Sequence, residues 1–275
     1  MSKTPSELLF GQDAEEYHAM PGASASRLNE MFRSSPAHMK HRTENPQPST
    51  QPMVIGTATH SAILEPDLFD VEWGRIPEGD GRTSAVKKAR AELIEEFGRD
   101  RVLKAETYDG IIGMRDSVLA NETAKSLLHE CNTEVSSYWR DGRSGVRCKA
   151  RIDAMPPQDS NWGECLVDIK TTADASPREF QRSVHNFGYH RQAAHYLAST
   201  EDKVFPRDRF LFICVEKTAP YCVAVYELDE DSLTLARSGL DKLLSRWAEC
   251  EAEDHWPAYP EGIQSLSLPA WAYVT

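Results

Sequence analysis

The sequence predicts an α/β protein of the α+β type, with a central mixed β-sheet flanked by helices. Apolar residues recur at helical spacing over residues 83–129, whereas the segments that follow alternate as strands do. Two more strand-like segments lie between helical stretches nearer the C-terminus. This order of helices, strands, helix, strands and helix fits one sheet covered by helices better than two separate domains.

The N-terminal half is predicted to be mainly helical. Residues 1–23 are interpreted as an irregular N-terminal arm and residues 24–275 as a single domain, mainly helical over 24–130, with the sheet core and the C-terminal helix over 131–275. Within the helical part, Ser24 is placed to cap one short helix, and Ser35 followed by Pro36 begins a second.

A loop and a third helix complete this half. The stretch 41–52 is rich in proline, serine and other polar residues and is predicted to be a loop. A helix from about Met53 to Glu65 follows it.

The C-terminal half is predicted to contain the sheet. Strands are expected at 133–139, 145–154, 163–171, 209–216 and 221–228, and helices at 176–183, 187–200 and 229–254. A turn at Asp141–Gly142 joins the first two strands, and Pro220 lies in the turn between the last two.

Composition excludes several classes of protein. The 275 residues are 40% hydrophobic, which is enough for a substantial core. The six cysteines include no C-x-x-C pair, which argues against a zinc ribbon and a secreted disulfide framework. No apolar segment is long enough to span a membrane and no secretory leader is visible, so a cytoplasmic location is expected.

The net charge and the local distribution of charge give opposite indications about nucleic-acid binding. The formal net charge of −12 is unfavourable for binding phosphates. The segment from Arg140 to Arg151, however, is rich in arginine and lysine and holds a single acidic residue, Asp141. A local basic surface is therefore compatible with the acidic total.

The segment 151–172 carries the residues with the clearest chemistry. Asp153 ends one predicted strand, and Asp168 and Lys170, two positions apart in the next, project from the same face. Converging carboxylates repel each other unless a cation lies between them, and their oxygens suit Mg²⁺ or Mn²⁺. A D-x-K tripeptide is often only a solvated strand edge, but Asp168 lies in an apolar run, where a charge without a partner is unfavourable.

These residues resemble a known motif. Asp153 followed by Asp168-x-Lys170 resembles the core of the PD-(D/E)xK nuclease superfamily, and GTATHSAILEP (56–66), with His60, resembles the histidine helix of its RecB-like branch. Gln192 and Tyr196 resemble the Q-x-x-x-Y helix of that branch. The likeness is most specific to RecE-type exonucleases, the exodeoxyribonuclease VIII nuclease domain of phage and prophage recombination systems, and covers residues 17 to about 200.

The resemblance implies a restriction-endonuclease-like core and a set of site residues. Catalytic roles fall on Asp153, Asp168 and Lys170, and the metal ligands would be His60, Asp153, Asp168 and the backbone carbonyl of Ile169. Asp168 stands where much of the superfamily has glutamate, which bears on the metal geometry. Without the resemblance, His60 would be interpreted as a core histidine.

Glu134 lies on the strand before the motif. It is either a further metal ligand or an ordinary strand-edge carboxylate, and the sequence favours neither interpretation.

The DNA-binding residues are less specific. Gln192 and Tyr196, four apart on a helix, share one face toward the substrate. Basic side chains of the hairpin are either a solvated surface or phosphate contacts; they are Arg143, Arg147, Lys149 and Arg151. Ser24 and Ser26 would hold a terminal phosphate or merely cap their helix.

The histidines near Gln192 match no metal site and are interpreted as surface or groove residues; they are His185, His190 and His195.

The resemblance also implies an activity and partners. It implies a Mg²⁺- or Mn²⁺-dependent exonuclease on linear double-stranded DNA, acting 5′ to 3′ and leaving 3′ single strands for a RecT-like annealing protein. By analogy the chain would form a ring-shaped homo-oligomer, a trimer or tetramer. The alternatives are a structure-specific or Cas4-like endonuclease and a catalytically silent DNA-binding protein; the scattered cysteines argue against a Cas4-like iron–sulfur cluster.

Overall fold

The computed structural model describes residues 6–201, 203, 204, 206–269 and 272. Its strands are β1 (Glu7–Leu9), β2 (Gly74–Arg75), β3 (Val102–Leu103), β4 (Asn132–Arg140), β5 (Arg147–Met155), β6 (Cys165–Thr172), β7 (Arg209–Glu216) and β8 (Val223–Glu227). Its helices are α1 (Ala14–Ala19), α2 (Ala25–Arg33), α3 (Pro36–Glu44), α4 (Gln51–Leu64), α5 (Pro66–Glu72), α6 (Ser84–Phe97), α7 (Ala105–Ala120), α8 (Glu122–Leu128), α9 (Pro177–Phe187), α10 (Tyr189–Ala198) and α11 (Glu230–Glu253).

The main sheet is mixed and has six strands, in the order β1-β4-β5-β6-β7-β8. Its neighbours are antiparallel except for β6 and β7, which run parallel. The parallel pair is joined by α9 and α10, as a crossover connection requires. The predicted fold class, a mixed sheet flanked by helices, is confirmed.

The two faces of the sheet bury different sets of helices. Along β6, Val167 and Ile169 belong to an apolar cluster with residues of α4 and α7, whereas Leu166 belongs to a cluster with residues of α9, α10 and α11. Successive side chains of a strand point to opposite faces. Asp168 and Lys170 therefore share the face of Leu166, toward α10.

Helices α2 and α3 begin at the serine caps that the sequence predicts. The hydroxyl of Ser24 accepts a hydrogen bond from the Arg27 amide at the start of α2. Ser35 caps α3 in the same way, with Pro36 at the first helical position. Both caps satisfy amides that have no partner within the helix.

The N-terminal segment differs from the irregular arm that the sequence predicts. β1 pairs antiparallel with β4, and α1 follows, capped by Asp13. A strand of three residues is too short to show an alternating pattern, which explains why the sequence does not reveal it.

Other differences are smaller. The loop predicted at 41–52 shrinks to 45–50, because α3 and α4 extend into it. Helix α5 and the short parallel pair of β2 and β3 were not predicted. Among the described residues, no helix combines the length and apolar character that crossing a membrane requires.

Candidate active site

A cleft of about 710 Å³ opens beside β5 and β6. Its walls come from α1, α2, α4 and α10, and the four residues that the sequence singles out for chemistry all line it: His60, Asp153, Asp168 and Lys170. The fold thus brings side chains from three separate elements to one concave surface.

The separation of β5 from β6 creates the floor of this cleft. Ala154 pairs with Val167, so Asp153 and Asp168 stand at the next position of each strand. At this position a side chain instead of a backbone carbonyl accepts the hydrogen bond between the strands: the Ile169 amide donates to Asp153 Oδ2 at 2.8 Å. The strands diverge at the point where both acids lie.

Asp153 is a buried carboxylate with a poorly compensated charge. It is 7% exposed, and burial, followed by the nearby Asp168 charge, raises its pKa to about 7, although His60 acts in the opposite direction. Its Oδ2 lies 3.4 Å from His60 Nδ1. A cation at this position would remove the unfavourable charge.

Asp168, Lys170 and Gln192 form a closed network. Asp168 is 1% exposed; its Oδ2 lies 2.6 Å from Lys170 Nζ, and its Oδ1 accepts a hydrogen bond of 2.6 Å from Gln192 Nε2. Lys170 Nζ donates to Gln192 Oε1 at 3.0 Å. Because α10 supplies the glutamine, packing of this helix on the sheet fixes the geometry of both catalytic candidates.

The network keeps Lys170 charged. Burial by itself lowers the pKa of Lys170, but the charges of Asp168 and Asp153 outweigh it, and the net pKa is raised. The ammonium also lies 4.5 Å from the centre of the Tyr189 ring. Lys170 is therefore arranged as a cation that can face an anionic group.

Glu134 occupies an unusual position on β4. Its φ of +51° is left-handed, although it is neither glycine nor asparagine, and the β4–β5 pairing skips the position between Thr133 and Val135. Its Oε2 accepts a hydrogen bond of 2.5 Å from Arg151 Nε. The strand is distorted at the point where Glu134 turns toward Asp153, and such distortions concentrate at functional sites.

The donor set fits a divalent metal ion. Ligand atoms of His60, Glu134 and Asp153 all lie within 4.8 Å of one another, and no other such group of three occurs in the described part of the chain. His60 Nε2 donates to the Ile169 carbonyl at 2.8 Å, which leaves Nδ1 with its lone pair facing the carboxylates. One imidazole nitrogen and two carboxylates suit Mn²⁺ or Mg²⁺.

Two predicted ligands lie beside this triad. The Ile169 carbonyl orients the His60 ring in this structure. Asp168 is engaged by Lys170 and Gln192, but its Oδ2 meets no hydrogen-bond donor of suitable geometry among the described residues. The role of Asp168 as a ligand remains a prediction.

A family profile described as "PDDEXK-like domain of unknown function (DUF3799)" matches residues 24–269. The chain belongs to this family. The predicted membership of the PD-(D/E)xK superfamily is thereby confirmed. The match begins after β1 and α1, at the Ser24 that caps α2.

A solved structure shares this fold. It is the crystal structure of a candidate exonuclease from Eubacterium rectale, with a TM-score of 0.62 and 14% identity, covering 94% of this chain and 95% of that one. At this identity the likeness shows a common fold alone. No curated protein matches the sequence.

Several predicted DNA-binding residues of this PDDEXK-like domain line the cleft; they are Ser24, Ser26, Arg151, Gln192 and Tyr196. Tyr196 is partly buried in the cleft wall, and burial raises its pKa, so its hydroxyl stays protonated. The hydroxyls of Ser24 and Ser26 lie 3.0 Å apart.

Other basic residues of the hairpin are placed differently. Lys149 lines the cleft but is only 3% exposed, and its ammonium donates to the carbonyls of Tyr17, His18 and Met20. All three of its donors are thus used, so it ties α1 to β5 instead of meeting a phosphate as predicted.

Arg143 and Arg147 are not among the residues that line the cleft, and Arg143 pairs with Asp241 on α11. Their contact with DNA remains a prediction, and their absence from the cleft lining does not support it.

The structure places His195 in the core and adds one aromatic residue, Tyr189, to the site. His195 is fully buried under Trp139 and bonded to the Lys149 carbonyl, so it is a core residue instead of the predicted surface or groove residue. Tyr189, which covers Lys170, was missed by the sequence analysis. Its position three residues before Gln192 on one helix face is the signal that could have indicated it.

Proposed function

We propose that this protein is a divalent-metal-dependent nuclease that hydrolyses phosphodiester bonds of linear double-stranded DNA from an end. One observation carries the proposal: the donor atoms of His60, Glu134 and Asp153 converge next to the Asp168–Lys170 pair in a single open cleft. The family supports the same interpretation, because PD-(D/E)xK cores are built for this chemistry.

The residues divide the chemistry between them. A bound Mg²⁺ or Mn²⁺ would supply Lewis-acid stabilisation of the charge that develops on the phosphoryl group. Lys170, kept cationic by its acidic neighbours, is placed to balance charge on a phosphate oxygen. Gln192 holds Lys170 and Asp168 at fixed positions, so little rearrangement is needed when substrate arrives.

The cleft lining also contains arginine residues. Arg27, Arg33 and Arg101 line it together with Arg151. Arg101 pairs with Glu72 and Arg151 with Glu134, both of which line the same cleft. Arg27 and Arg33, which pair with no carboxylate among the described residues, support binding of DNA at this cleft despite the net charge of −12.

We base the proposed location, polarity, partner and assembly on the resemblance to RecE-type exonucleases. On that basis the enzyme acts in the cytoplasm, degrades DNA 5′ to 3′, leaves 3′ single strands for a RecT-like annealing partner, and assembles as a ring of three or four subunits. The description of the Eubacterium rectale protein as a candidate exonuclease agrees with action at ends. The six cysteines, all within the described residues, are free, and they include none of the candidate metal ligands, which disfavours a Cas4-like cluster.

The experiment that tests this proposal uses Mg²⁺ and three DNA substrates: a linear duplex labelled at its 5′ ends, the same duplex labelled at its 3′ ends, and a covalently closed circle. We expect early release of mononucleotides from the 5′ label, later loss of the 3′ label and an intact circle. Matched reactions use Lys170→Met, which keeps the length of the side chain and removes its charge.

The outcomes separate the alternatives. Cutting of the closed circle would assign an endonuclease, and early release of the 3′ label would reverse the polarity. Intact DNA in every wild-type reaction, with either Mg²⁺ or Mn²⁺, would leave only a silent DNA-binding protein.

A further inference from the structure

The junction between α9 and α10 presents an aromatic ring at the wall of the cleft. Phe187, the last residue of α9, is 53% exposed and lines the same cleft as Lys170. Its ring stacks on that of Tyr189, with centroids 5.6 Å apart and planes inclined by 29°. Tyr189 in turn lies over the Lys170 ammonium. A continuous aromatic column therefore leads from the catalytic lysine to solvent.

This junction is fixed by close contacts. Gly188 has a left-handed φ of +72°, and a Cβ at this residue would lie 2.2 Å from Asn29 Oδ1. Asn29 Nδ2 donates to the Phe187 carbonyl at 3.4 Å, and Asn29 Oδ1 accepts from Arg191 Nε at 2.7 Å. The left-handed backbone and these contacts both favour glycine at this point. The backbone at Phe187 is thus held by Asn29, and its ring rests on Tyr189.

A flat apolar ring beside a phosphodiester site is suited to contact a nucleobase. Each phosphodiester of DNA is flanked by nucleobases, and stacking of a base on an aromatic side chain is a general means of holding nucleotides that are not stacked on each other. Inside a duplex both faces of a base are covered by its neighbours. A free face occurs only on a terminal or unpaired base.

We propose that Phe187 stacks on the nucleobase next to the scissile phosphodiester at the end of a DNA strand. This inference rests on the proposed function and deepens it, because it supplies a reason for preferring ends. The Tyr189 ring contacts both the Phe187 ring and the Lys170 ammonium, so Phe187 lies one ring away from a phosphate that would be held at the lysine, within reach of an adjoining base.

Binding measurements with Ca²⁺ in place of Mg²⁺ test the ring separately from turnover. Affinity for a short blunt-ended duplex is compared for wild type, Phe187→Ala, Phe187→Leu and Phe187→Tyr. We expect a loss on the order of tenfold for the alanine and leucine variants and little change for tyrosine, because leucine keeps the apolar bulk without the ring. The matched control is Phe10→Ala, since Phe10 is 60% exposed and is not among the residues lining the cleft.

Two further DNAs identify the contact. With a closed circular duplex, or a linear duplex whose terminal nucleotides are abasic, the affinity difference between wild type and Phe187→Leu should disappear. Equal affinities of all Phe187 variants for the blunt duplex would overturn the inference, and so would an equal loss on all three DNAs. Thermal melting confirms that each variant is folded, and the leucine–tyrosine comparison decides if the alanine variant is not.

The same experiment separates this inference from the proposed function. Wild-type protein that binds the blunt duplex in Ca²⁺ but never cuts it in Mg²⁺ or Mn²⁺ overturns the nuclease proposal, while the variants still decide the stacking. Absence of binding to any of the DNAs in Ca²⁺ overturns the stacking inference, while cutting in Mg²⁺ or Mn²⁺ still decides the nuclease proposal.

Discussion

The buried charge of Asp153 should make the metal-free protein less stable than a neutral side chain would. Asp153→Asn keeps the size of the residue and an oxygen that can accept the hydrogen bond from the Ile169 amide. It removes the charge that burial and Asp168 oppose. In the presence of a chelator at pH 8, we therefore expect this variant to be more stable than wild type.

The size of the effect follows from the pKa of Asp153, which burial and Asp168 raise from 3.8 to about 7. Each unit corresponds to about 1.4 kcal/mol, so ionisation in the folded state costs about 4 kcal/mol. The folded carboxyl holds its proton more tightly than the unfolded one, so the cost is absent below about pH 4 and complete above about pH 7. The advantage of asparagine should fall from about 4 kcal/mol at pH 8 to about 2 kcal/mol at pH 5.5.

Urea denaturation of both proteins at pH 5.5 and pH 8, with chelator and then with Mn²⁺, measures this difference. Mn²⁺ should stabilise wild type more than Asp153→Asn at the same concentration, because tighter binding to the folded state adds more to stability. Glu72→Gln is the matched control, since Glu72 also lines the cleft but pairs with Arg101. A variant less stable than wild type in chelator at pH 8, or a difference independent of pH, would refute the reasoning and make Asp153 a structural residue.

Three further predictions concern other parts of the cleft. His60→Ala should raise the Mn²⁺ concentration for half-maximal activity at least tenfold and change the rate at saturating Mn²⁺ much less, because a neutral imidazole adds a ligand but no charge. A loss of activity that no Mn²⁺ concentration restores would contradict this. Gln192→Ala should lower kcat by on the order of 100-fold without lowering the melting temperature, because Lys170 loses its positioning partner, and an unchanged kcat would remove that role. Arg27→Ala should reduce the slope of log affinity against log salt by about 0.9, and an unchanged slope would remove Arg27 from the DNA path. The same measurement on Arg143→Ala tests the predicted contact of the hairpin.

The parts of the fold that depend on local patterns could be predicted from the sequence. The strand periodicity around Asp168 placed it and Lys170 on one face, and the structure confirms this arrangement against α10. Helix caps such as Ser24 were readable because the capping side chain lies within three residues of its partner amide. His60, in contrast, required the family resemblance, because no local pattern links it to Ile169 on β6, 109 positions away.

Features that depend on tertiary contacts could not be predicted. The Lys149 ammonium looked like one more surface charge, but folding surrounds it with three backbone carbonyls from α1 and its end. The left-handed backbone of Glu134 and its pairing with Arg151 arise only when β4 and β5 are side by side. These contacts decide which charges remain available to a ligand, and composition gives no information about them.

The central claim is that His60, Glu134 and Asp153 together hold a divalent ion, and direct titration of Mn²⁺ into the protein tests it without relying on turnover. Calorimetry of wild type, Glu134→Gln, Asp153→Asn and the control Glu72→Gln should show saturable binding to wild type and to the control. Binding to the two triad variants should be weaker by tenfold or more, because each loses a charged ligand. Equal Mn²⁺ affinity in all four proteins, or no binding to wild type at millimolar Mn²⁺, would contradict the account.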